Sequence, residues 1–271
     1  MAPLLVRSWN LFHGNTLPPR RNDRLEEMIR LASADDPDVV CLQELPVWAL
    51  GHLDGWSGMT ALGDVAARPR LGPFPSSAQL GRTLTELNHG LLRSAFTGQA
   101  NAILVAPRLR VLERRLLVLN PRPFRRRQAG WLGLSFIARL AWANERRVCQ
   151  AVRLSHDAGT LLVANLHATS YRPDERLADA EVFRAAVFAD ALARPGEPCV
   201  LAGDFNVRAN RSRTLAELTQ PDWGFSRPGQ GVDHILVRGA RAAALGRWPD
   251  ERRRRDGCLL SDHAPVEVRA G

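Results

Sequence analysis

Short polar motifs lie at the ends of apolar, β-branched runs along the whole chain, and they constrain the fold more than any other feature. In chain order they are Ser8-Trp9-Asn10, Asp38-Val39-Val40-Cys41-Leu42-Gln43-Glu44, Asn165-Leu166-His167, Gly203-Asp204-Phe205-Asn206, Asp233-His234 and Ser261-Asp262-His263. A fold that brings strand ends together would collect their carboxylates, amides and imidazoles in one pocket. Such a group is typical of metal-assisted attack on a phosphate ester.

The distribution of these motifs indicates one domain rather than two. The chain has 271 residues, and the motifs extend from residue 10 to residue 263. Globular domains commonly contain roughly 50 to 250 residues. We therefore expect a single domain over 1–271, with a helical insert near 125–147.

The charge of the chain favours a polyanionic partner. All 37 basic side chains are arginine, and the net charge is +9. Such an excess suits nucleic acid or an anionic membrane. Coding bias with solvated surface charge explains it equally well at this point.

The cysteines do not indicate a metal site, and Cys41, Cys149 and Cys199 indicate core positions. The four cysteines form no Cys-x-x-Cys pair, so zinc is not indicated, and three of them lie in apolar strand-like runs. The first residues resemble a strand and lack the apolar stretch of a secretory signal. No run approaches the ~20 apolar residues of a membrane span. The sequence thus predicts a reduced, cytoplasmic setting.

Hydrophobic periodicity predicts a mixed order of strands and helices. Amphipathic helices are expected at 22–34 and 173–193, another helix at 83–92, and mainly loop over 50–80. The predicted strands are 4–10, 39–43, 101–106, 111–119, 148–154, 160–165 (paired with the previous strand around 157–159), 199–202, 232–237 and 266–268. Strands that occur both as neighbours and between helices indicate a layered α/β fold with mixed sheets.

The motifs, in this order, resemble those of the endonuclease/exonuclease/phosphatase superfamily. The matching stretches are Trp9-Asn10, Gln43-Glu44, Asn165-Leu166-His167, Gly203-Asp204-Phe205-Asn206, Asp233-His234-Ile235 and Ser261-Asp262-His263-Ala264-Pro265-Val266. The resemblance implies an α/β (α+β) fold of the deoxyribonuclease I-like type. That fold is a four-layer sandwich of two packed mixed β-sheets flanked by helices, with the site at one edge.

The resemblance also implies a magnesium site. Glu44 would be the principal Mg²⁺ carboxylate, with Asn10 as a neighbouring ligand and Asp262 near the metal or its water. Mn²⁺ is a candidate substitute. Magnesium commonly takes one or two protein carboxylates and keeps several waters, so one dependable glutamate is a sufficient anchor.

The remaining motif residues would act on the phosphate and the attacking water. Asp204 and Asn206 stand at i and i+2, on one face of an extended segment, and could orient water and a phosphate oxygen. By resemblance, His167 stabilises charge on the phosphate, while His263 polarises the phosphate or transfers a proton. Asp233 would orient His263. Which carboxylate activates the water stays open.

Two further residues are substrate-binding candidates. By resemblance, Asn101 stands where members of the superfamily often have a polar residue on the phosphate side. Arg208 is one of the arginines that could form a basic, phosphate-binding surface. His13 could touch substrate at the rim or be a plain loop histidine. The other surface candidates are Arg125-Arg126-Arg127, Arg146-Arg147, Arg211, Arg213 and Arg252-Arg253-Arg254-Arg255.

These residues predict in-line attack of water on a phosphodiester without a covalent enzyme intermediate. We expect a monomeric, magnesium-dependent nuclease acting on DNA or RNA. One alternative is a phospholipid or sphingolipid phosphodiesterase, or an inositol polyphosphate phosphatase, acting at a membrane surface. Another is a phosphate-backbone binding protein without activity.

The segment 131–142 bears on this choice of substrate. It is apolar, begins and ends with tryptophan, and lies between arginine clusters. It could pack on the core, lie on a membrane surface or insert an aromatic ring into nucleic acid.

Overall fold

The structure is a computed structural model that describes residues 3–71, 74–87, 96–156 and 159–271. It divides into two compact units. The central unit contains Arg110–Ala243 with the last two residues, and the terminal unit contains Ala2–Leu109 and Ala244–Arg269. The expectation of one domain over 1–271 stays a prediction.

The regular elements alternate as the sequence predicted. The helices of the described residues are α1 (Leu25–Ala32), α2 (Leu53–Ser57), α3 (Ala78–Leu87), α4 (Arg122–Trp131), α5 (Phe136–Asn144), α6 (Arg176–Leu192) and α7 (Arg213–Leu218). The strands are β1 (Leu4–Asn10), β2 (Thr16–Leu17), β3 (Val39–Leu45), β4 (Thr60–Ala67), β5 (Arg70–Leu71), β6 (Phe74–Pro75), β7 (Gln99–Val105), β8 (Arg110–Val118), β9 (Val148–His156), β10 (Gly159–His167), β11 (Cys199–Asp204), β12 (Asp233–Arg238), β13 (Ala242–Arg247), β14 (Arg254–Arg255), β15 (Cys258–Leu260) and β16 (Val266–Ala270).

A mixed six-stranded sheet, in the order β13-β16-β1-β3-β7-β4, forms the framework of the terminal unit. Strands β1 and β3 are parallel, whereas β7 runs antiparallel to both β3 and β4. Helix α1 buries Leu25, Met28, Ile29 and Ala32 in the core of this unit. Their spacing of three and four residues places them on one helical face.

The central unit is built on a mixed five-stranded sheet in the order β12-β11-β10-β9-β8. Strands β10 and β11 are parallel, and the other neighbours are antiparallel. Helix α6 covers this sheet with Ala178, Val182, Ala185, Ala186 and Ala189, all buried. The two mixed sheets with their helices confirm the predicted fold class.

Two predicted segments, the loop at 50–80 and the helix at 83–92, differ from the structure. Residues 50–80 are not mainly loop, because they contain α2 and β4. The latter carries glycine and several alanines, which have weak strand propensity, but it pairs with β7 along its length, and such pairing outweighs propensity. The helix expected at 83–92 is α3, which begins at Ala78; residues 88–92 lie outside the described part of the chain. So do Asp157 and Ala158 of the expected turn.

The segment 131–142 forms the end of α4 and most of α5, and its faces differ. Trp142 is buried in a cluster with Ala129, Leu134, Ala138 and Leu177. In contrast, Trp131, Phe136, Ile137 and Leu140 are exposed. None of the helices in the described ranges is long and apolar enough to cross a membrane.

All four cysteines are buried and unbridged. Burial raises the pKa of the Cys199 thiol to about 12, and it raises the pKa of Cys41 further. Cys41, Cys149 and Cys199 are core residues, as the sequence indicated.

Candidate active site

Three candidate residues of the central unit form a row across adjacent strands. His167 is the last residue of β10 and pairs in parallel register with Asp204, the last residue of β11. Asp204 pairs in turn with Asp233, the first residue of antiparallel β12. One carboxylate oxygen of Asp204 and one of Asp233 lie within 4.8 Å of each other. Strand pairing alone therefore collects two carboxylates and an imidazole at one sheet edge.

The His167 ring lies between a carboxylate and a guanidinium group. Its Nε2 is 3.6 Å from Oδ2 of Asp204. Nη1 of Arg147 lies 2.9 Å from Nδ1 of the ring and 3.2 Å from Nε2. A guanidinium N–H can only donate, so it pairs with an imidazole nitrogen that carries no proton. Arg147 also pairs with Glu145.

Glycine at position 203 makes this row possible. Gly203 has a φ of 141°, and a Cβ on it would lie 1.9 Å from the carbonyl oxygen of Leu166. No other residue fits there without moving β10 away from β11. The Gly-Asp motif is thus required for the close approach of the two strand ends.

Asn206 closes the turn after Asp204. Its backbone N–H donates to Oδ1 of Asp204 over 2.9 Å, and its Nδ2 donates to the carbonyl oxygen of Ala168 over 2.9 Å. The Asn206 side chain thereby connects the chain after β11 to the chain after β10. Its second amide hydrogen is not used in these two contacts.

A buried glutamate holds the chain that follows His167. Glu181 of α6 accepts hydrogen bonds from the backbone N–H of Thr169, from the Thr169 hydroxyl and from Nε1 of Trp142. Burial raises the pKa of Glu181, although these hydrogen bonds act in the opposite direction. Glu181 joins α5, α6 and the His167 strand.

His234 has a structural position. It is buried against Phe205, with 5.2 Å between ring centroids, and its Nε2 lies 3.1 Å from the carbonyl oxygen of Val207. Burial lowers the pKa of His234.

In the terminal unit, Asn10 and Glu44 lie at the ends of parallel strands. Asn10 pairs with Gln43, one residue before Glu44. The register between β3 and β7 shifts between Leu42 and Leu45, and Glu44 has a φ of 53°. Such a bulge redirects a side chain out of the strand alternation. The Glu44 carboxylate is partly exposed.

The turn after β1 supports both residues. The side chain of Asn10 accepts a hydrogen bond from the backbone N–H of Phe12 over 2.9 Å. Nε2 of His13 lies 3.6 Å from Oε2 of Glu44. His13 is buried, with a φ of 55°, so it is a neighbour of Glu44 rather than a rim residue.

The Ser261-Asp262-His263 segment is fixed through its backbone. The Ser261 hydroxyl donates to the carbonyl oxygen of Asn10, and Nε1 of Trp9 donates to the carbonyl oxygen of His263. Nη1 of buried Arg253 donates to the carbonyl oxygens of Leu260, Ser261 and His263. Asp262 is exposed, and its Oδ1 lies 4.0 Å from Nε2 of His263.

The two substrate-binding candidates differ in exposure. Asn101 is buried on β7 between Ala100 and Ala102, which pair with Leu45 and Leu42, so it lies opposite the Glu44 bulge. Arg208 is exposed and shares the carboxylate of Glu175 with Arg211. A substrate-binding role stays a prediction for both.

Left-handed backbone concentrates around the motifs. Among the described residues, eight other than glycine have a positive φ, and five of them belong to or border the motifs: Phe12, His13, Glu44, Asn206 and Ser261. Each such residue costs roughly 1–3 kcal/mol, and strain of this kind clusters at functional sites.

The sequence did not predict three side chains that support the candidate site, namely Arg147, Arg253 and Glu181. Arg147 and Arg253 were assigned to the basic surface, yet both are buried. Nothing in the sequence distinguishes Glu181 from the other polar residues of its helix. A signal existed only for Arg147, which directly precedes the apolar strand β9 and so enters the sheet with it.

Comparison with known proteins identifies the family. A profile of the Endonuclease/Exonuclease/phosphatase family matches residues 8–263. A conserved protein of unknown function from Enterococcus faecalis V583 superposes with a TM-score of 0.66 at 15% identity, covering 99% of each chain. The endonuclease/exonuclease/phosphatase from Bacteroides vulgatus gives 0.65 at 15% identity, covering 100% of this chain and 99% of that one.

A humanized D. rerio TDP2 also has this fold, with a TM-score of 0.63, 15% identity and full coverage of both chains. No curated protein shows significant sequence similarity to the chain. At these identities the solved structures show the deoxyribonuclease I-like fold alone. The family profile covers most of the chain, and the chain therefore belongs to the endonuclease/exonuclease/phosphatase family, whose members hydrolyse phosphoester bonds.

Proposed function

We propose that this protein is a magnesium-dependent phosphodiesterase that cleaves DNA or RNA by in-line attack of water. The observation that carries the proposal is the row of His167, Asp204 and Asp233 across three paired strands. Two buried carboxylates beside an imidazole can bind a water, accept its proton and hold a phosphate oxygen.

The terminal unit supplies residues that fit a divalent cation. Glu44 offers a partly exposed carboxylate on a bulge, Asn10 an amide oxygen and Asp262 an exposed carboxylate. These are the hard oxygen donors that Mg²⁺ prefers, and Mn²⁺ accepts the same set. When bound, such a cation neutralises phosphate charge and stabilises the leaving oxygen.

The side chains divide the reaction between them in this proposal. Asp204 orients the attacking water, with Asn206 as its partner for a phosphate oxygen. His167 and His263 stabilise the charge that develops on the phosphate. Asp233 orients His263, and either Asp204 or Asp262 takes the proton of the water.

Nucleic acid is the proposed substrate because the surface is rich in arginine. Basic side chains bind phosphates without regard to sequence, and the affinity falls steeply with salt. Arg208 and Arg211 are exposed next to the Asn206 turn, together with Arg213. Arg147 and Arg253 do not belong to this surface, since both are buried.

A lipid phosphodiesterase is the second candidate. It is favoured by the exposed aromatic and aliphatic side chains of α4 and α5. An inositol polyphosphate phosphatase would use the same catalytic groups. A binding protein without activity would not need Glu44, Asp204 and His263 together, and the chain has all three. The monomeric state and the cytoplasmic location stay predictions.

One panel of substrates tests the proposal. Purified protein with Mg²⁺ is offered plasmid DNA, single-stranded RNA, inositol polyphosphates and sphingomyelin vesicles, with His263→Ala and a chelator as controls. We expect plasmid nicking or RNA cleavage that disappears in both controls. Release from lipid or inositol phosphate with intact nucleic acid would contradict the proposed substrate, and no hydrolysis at all would contradict the enzyme.

A further inference from the structure

Four large apolar side chains of α4 and α5 project into solvent within ten residues of chain. Trp131 is 82% exposed, Phe136 74%, Ile137 68% and Leu140 54%. Single exposed apolar residues are ordinary, but a group of this size marks an interaction surface. Phe136, Ile137 and Leu140 share one face of α5, because they stand at i, i+1 and i+4.

The inner face of the same helix pair is well packed, so this exposure does not come from a loosely folded segment. Trp142 is buried and donates from Nε1 to Glu181 over 2.6 Å. The Ser135 side chain caps α5 by accepting from the N–H of Ala138. Nη1 of Arg176 donates to the carbonyl oxygen of Leu132 over 2.9 Å, which ties the turn between the helices to α6.

The helix pair with the exposed side chains carries charge of one sign. Residues 114–144 contain no aspartate or glutamate. The helices themselves carry five arginines, of which Arg122, Arg126, Arg127 and Arg139 are exposed. An apolar tip on a helix pair whose own charges are all positive is complementary to a surface that is negative outside and apolar beneath.

This combination distinguishes between the surfaces that could cover the patch. A second copy would bring its own arginines against these and be repelled. Nucleic acid would satisfy the arginines and could stack on Trp131, but it would leave Ile137 and Leu140 in water. An anionic lipid bilayer satisfies both properties, and tryptophan prefers its interface.

We propose that α4 and α5 form a docking surface for anionic lipid membranes, with Trp131, Phe136, Ile137 and Leu140 inserted among the lipids. The exposed arginines contact the headgroups. The surface belongs to the central unit and its binding does not depend on hydrolysis, so it can be tested on a protein without activity.

Vesicle flotation with the full chain tests the proposal. Vesicles of phosphatidylcholine are compared with vesicles that also contain phosphatidylserine. We expect binding to the anionic vesicles only, weakened roughly 10-fold or more by Phe136→Ser with Ile137→Ser, as expected for two exposed side chains that lose apolar contact. Arg126→Ser with Arg127→Ser should weaken binding most at low salt.

The matched control is Leu112→Ser with Leu116→Ser, which changes two exposed apolar residues of β8 in the same unit. This variant should bind vesicles like the wild type, and thermal unfolding should show that all variants are folded. Absence of vesicle binding, or equal binding by the Phe136/Ile137 variant, would overturn the proposal. Two other results would also overturn it, if vesicle binding is absent. One is concentration-dependent self-association that is lost in the Phe136/Ile137 variant, and the other is DNA binding that is lost in the same variant.

Discussion

In the central unit His167, Asp204 and Asp233 are held by regular strand pairing, whereas in the terminal unit Glu44 and His263 are held by irregular backbone. The first group shares one register row, and its support is the buried Arg147 beside His167. The second group depends on a bulge at Glu44 and on hydrogen bonds to the backbone of residues 260–263.

The difference suggests a division of work. Regular pairing fixes side chains rigidly, which suits groups that must meet a reacting atom. A partly exposed carboxylate on a bulge can adjust to a ligand, which suits a cation that keeps its own waters. We therefore expect substitutions of His167, Asp204 or Asp233, the central row, to change the rate of the chemical step. Substitutions of Glu44 should change the Mg²⁺ dependence.

The largest effect is expected for Asp204→Asn. The amide keeps the shape of the side chain but cannot accept a proton, so the rate of hydrolysis should fall by ~10³-fold or more. Initial rates of plasmid nicking measure it, with the exposed Asp222→Asn as the control of the same unit. Activity within ten-fold of wild type would remove Asp204 from the mechanism.

Glu44→Gln should behave differently. Loss of one charged oxygen weakens cation binding, and we expect the Mg²⁺ concentration for half-maximal activity to rise on the order of 10- to 100-fold. High Mg²⁺ should restore part of the rate, and a chelator should abolish activity of the wild type. Exposed Glu251→Gln is the control in the terminal unit. An unchanged Mg²⁺ requirement would contradict the division of work.

Arg147→Met tests the support of the central row. Without the guanidinium group the His167 ring loses its contact at 2.9 Å, and misplacement of such a group can cost about 10- to 100-fold in rate. We expect kcat to fall with little change in KM. In exposed Arg208→Met the salt dependence of substrate binding should change instead. An equal increase of KM in both variants would indicate that Arg147 contributes to substrate binding rather than to the position of His167.

The smallest effect concerns stability and pH at Glu181. Because its pKa is raised in the folded state, its favourable contribution is present below the unfolded pKa and is lost as pH rises through the folded pKa. The free energy of unfolding of wild type minus that of Glu181→Gln should therefore decrease with rising pH. Urea unfolding of both proteins over a pH series measures this difference, and a constant or increasing difference would refute the assignment.

The strand-end residues could be predicted because each follows a recognisable apolar run. His167 and Asp204 stand at the ends of two such runs, and parallel pairing places them at the same edge. The mixed sheets followed from the order of elements. Strand β4 was not predicted because its glycine and alanines have weak β-strand propensity. It forms because it pairs with β7 along its length.

Burial of charged residues could not be predicted in the same way. Arg147 and its neighbour Arg146 look alike in the sequence, yet only Arg147 enters the sheet with β9. Trp131 and Trp142 both stand in an apolar segment, and contacts with α6 decide that only Trp142 is covered. The left-handed conformation of Glu44 likewise arises from the bulge against β7, and the local sequence around Glu44 does not predict that bulge.

The most direct test of the proposed function, in which Glu44 and Asp204 serve one magnesium-dependent reaction, is a double-mutant cycle on plasmid nicking. Rates are measured for wild type, Glu44→Gln, Asp204→Asn and the double variant at the Mg²⁺ concentration that gives half-maximal activity of the wild type. The account predicts a double variant little slower than Asp204→Asn alone, since residues that act in one reaction are strongly non-additive. Losses that multiply fully, or a single variant with wild-type activity, would contradict it.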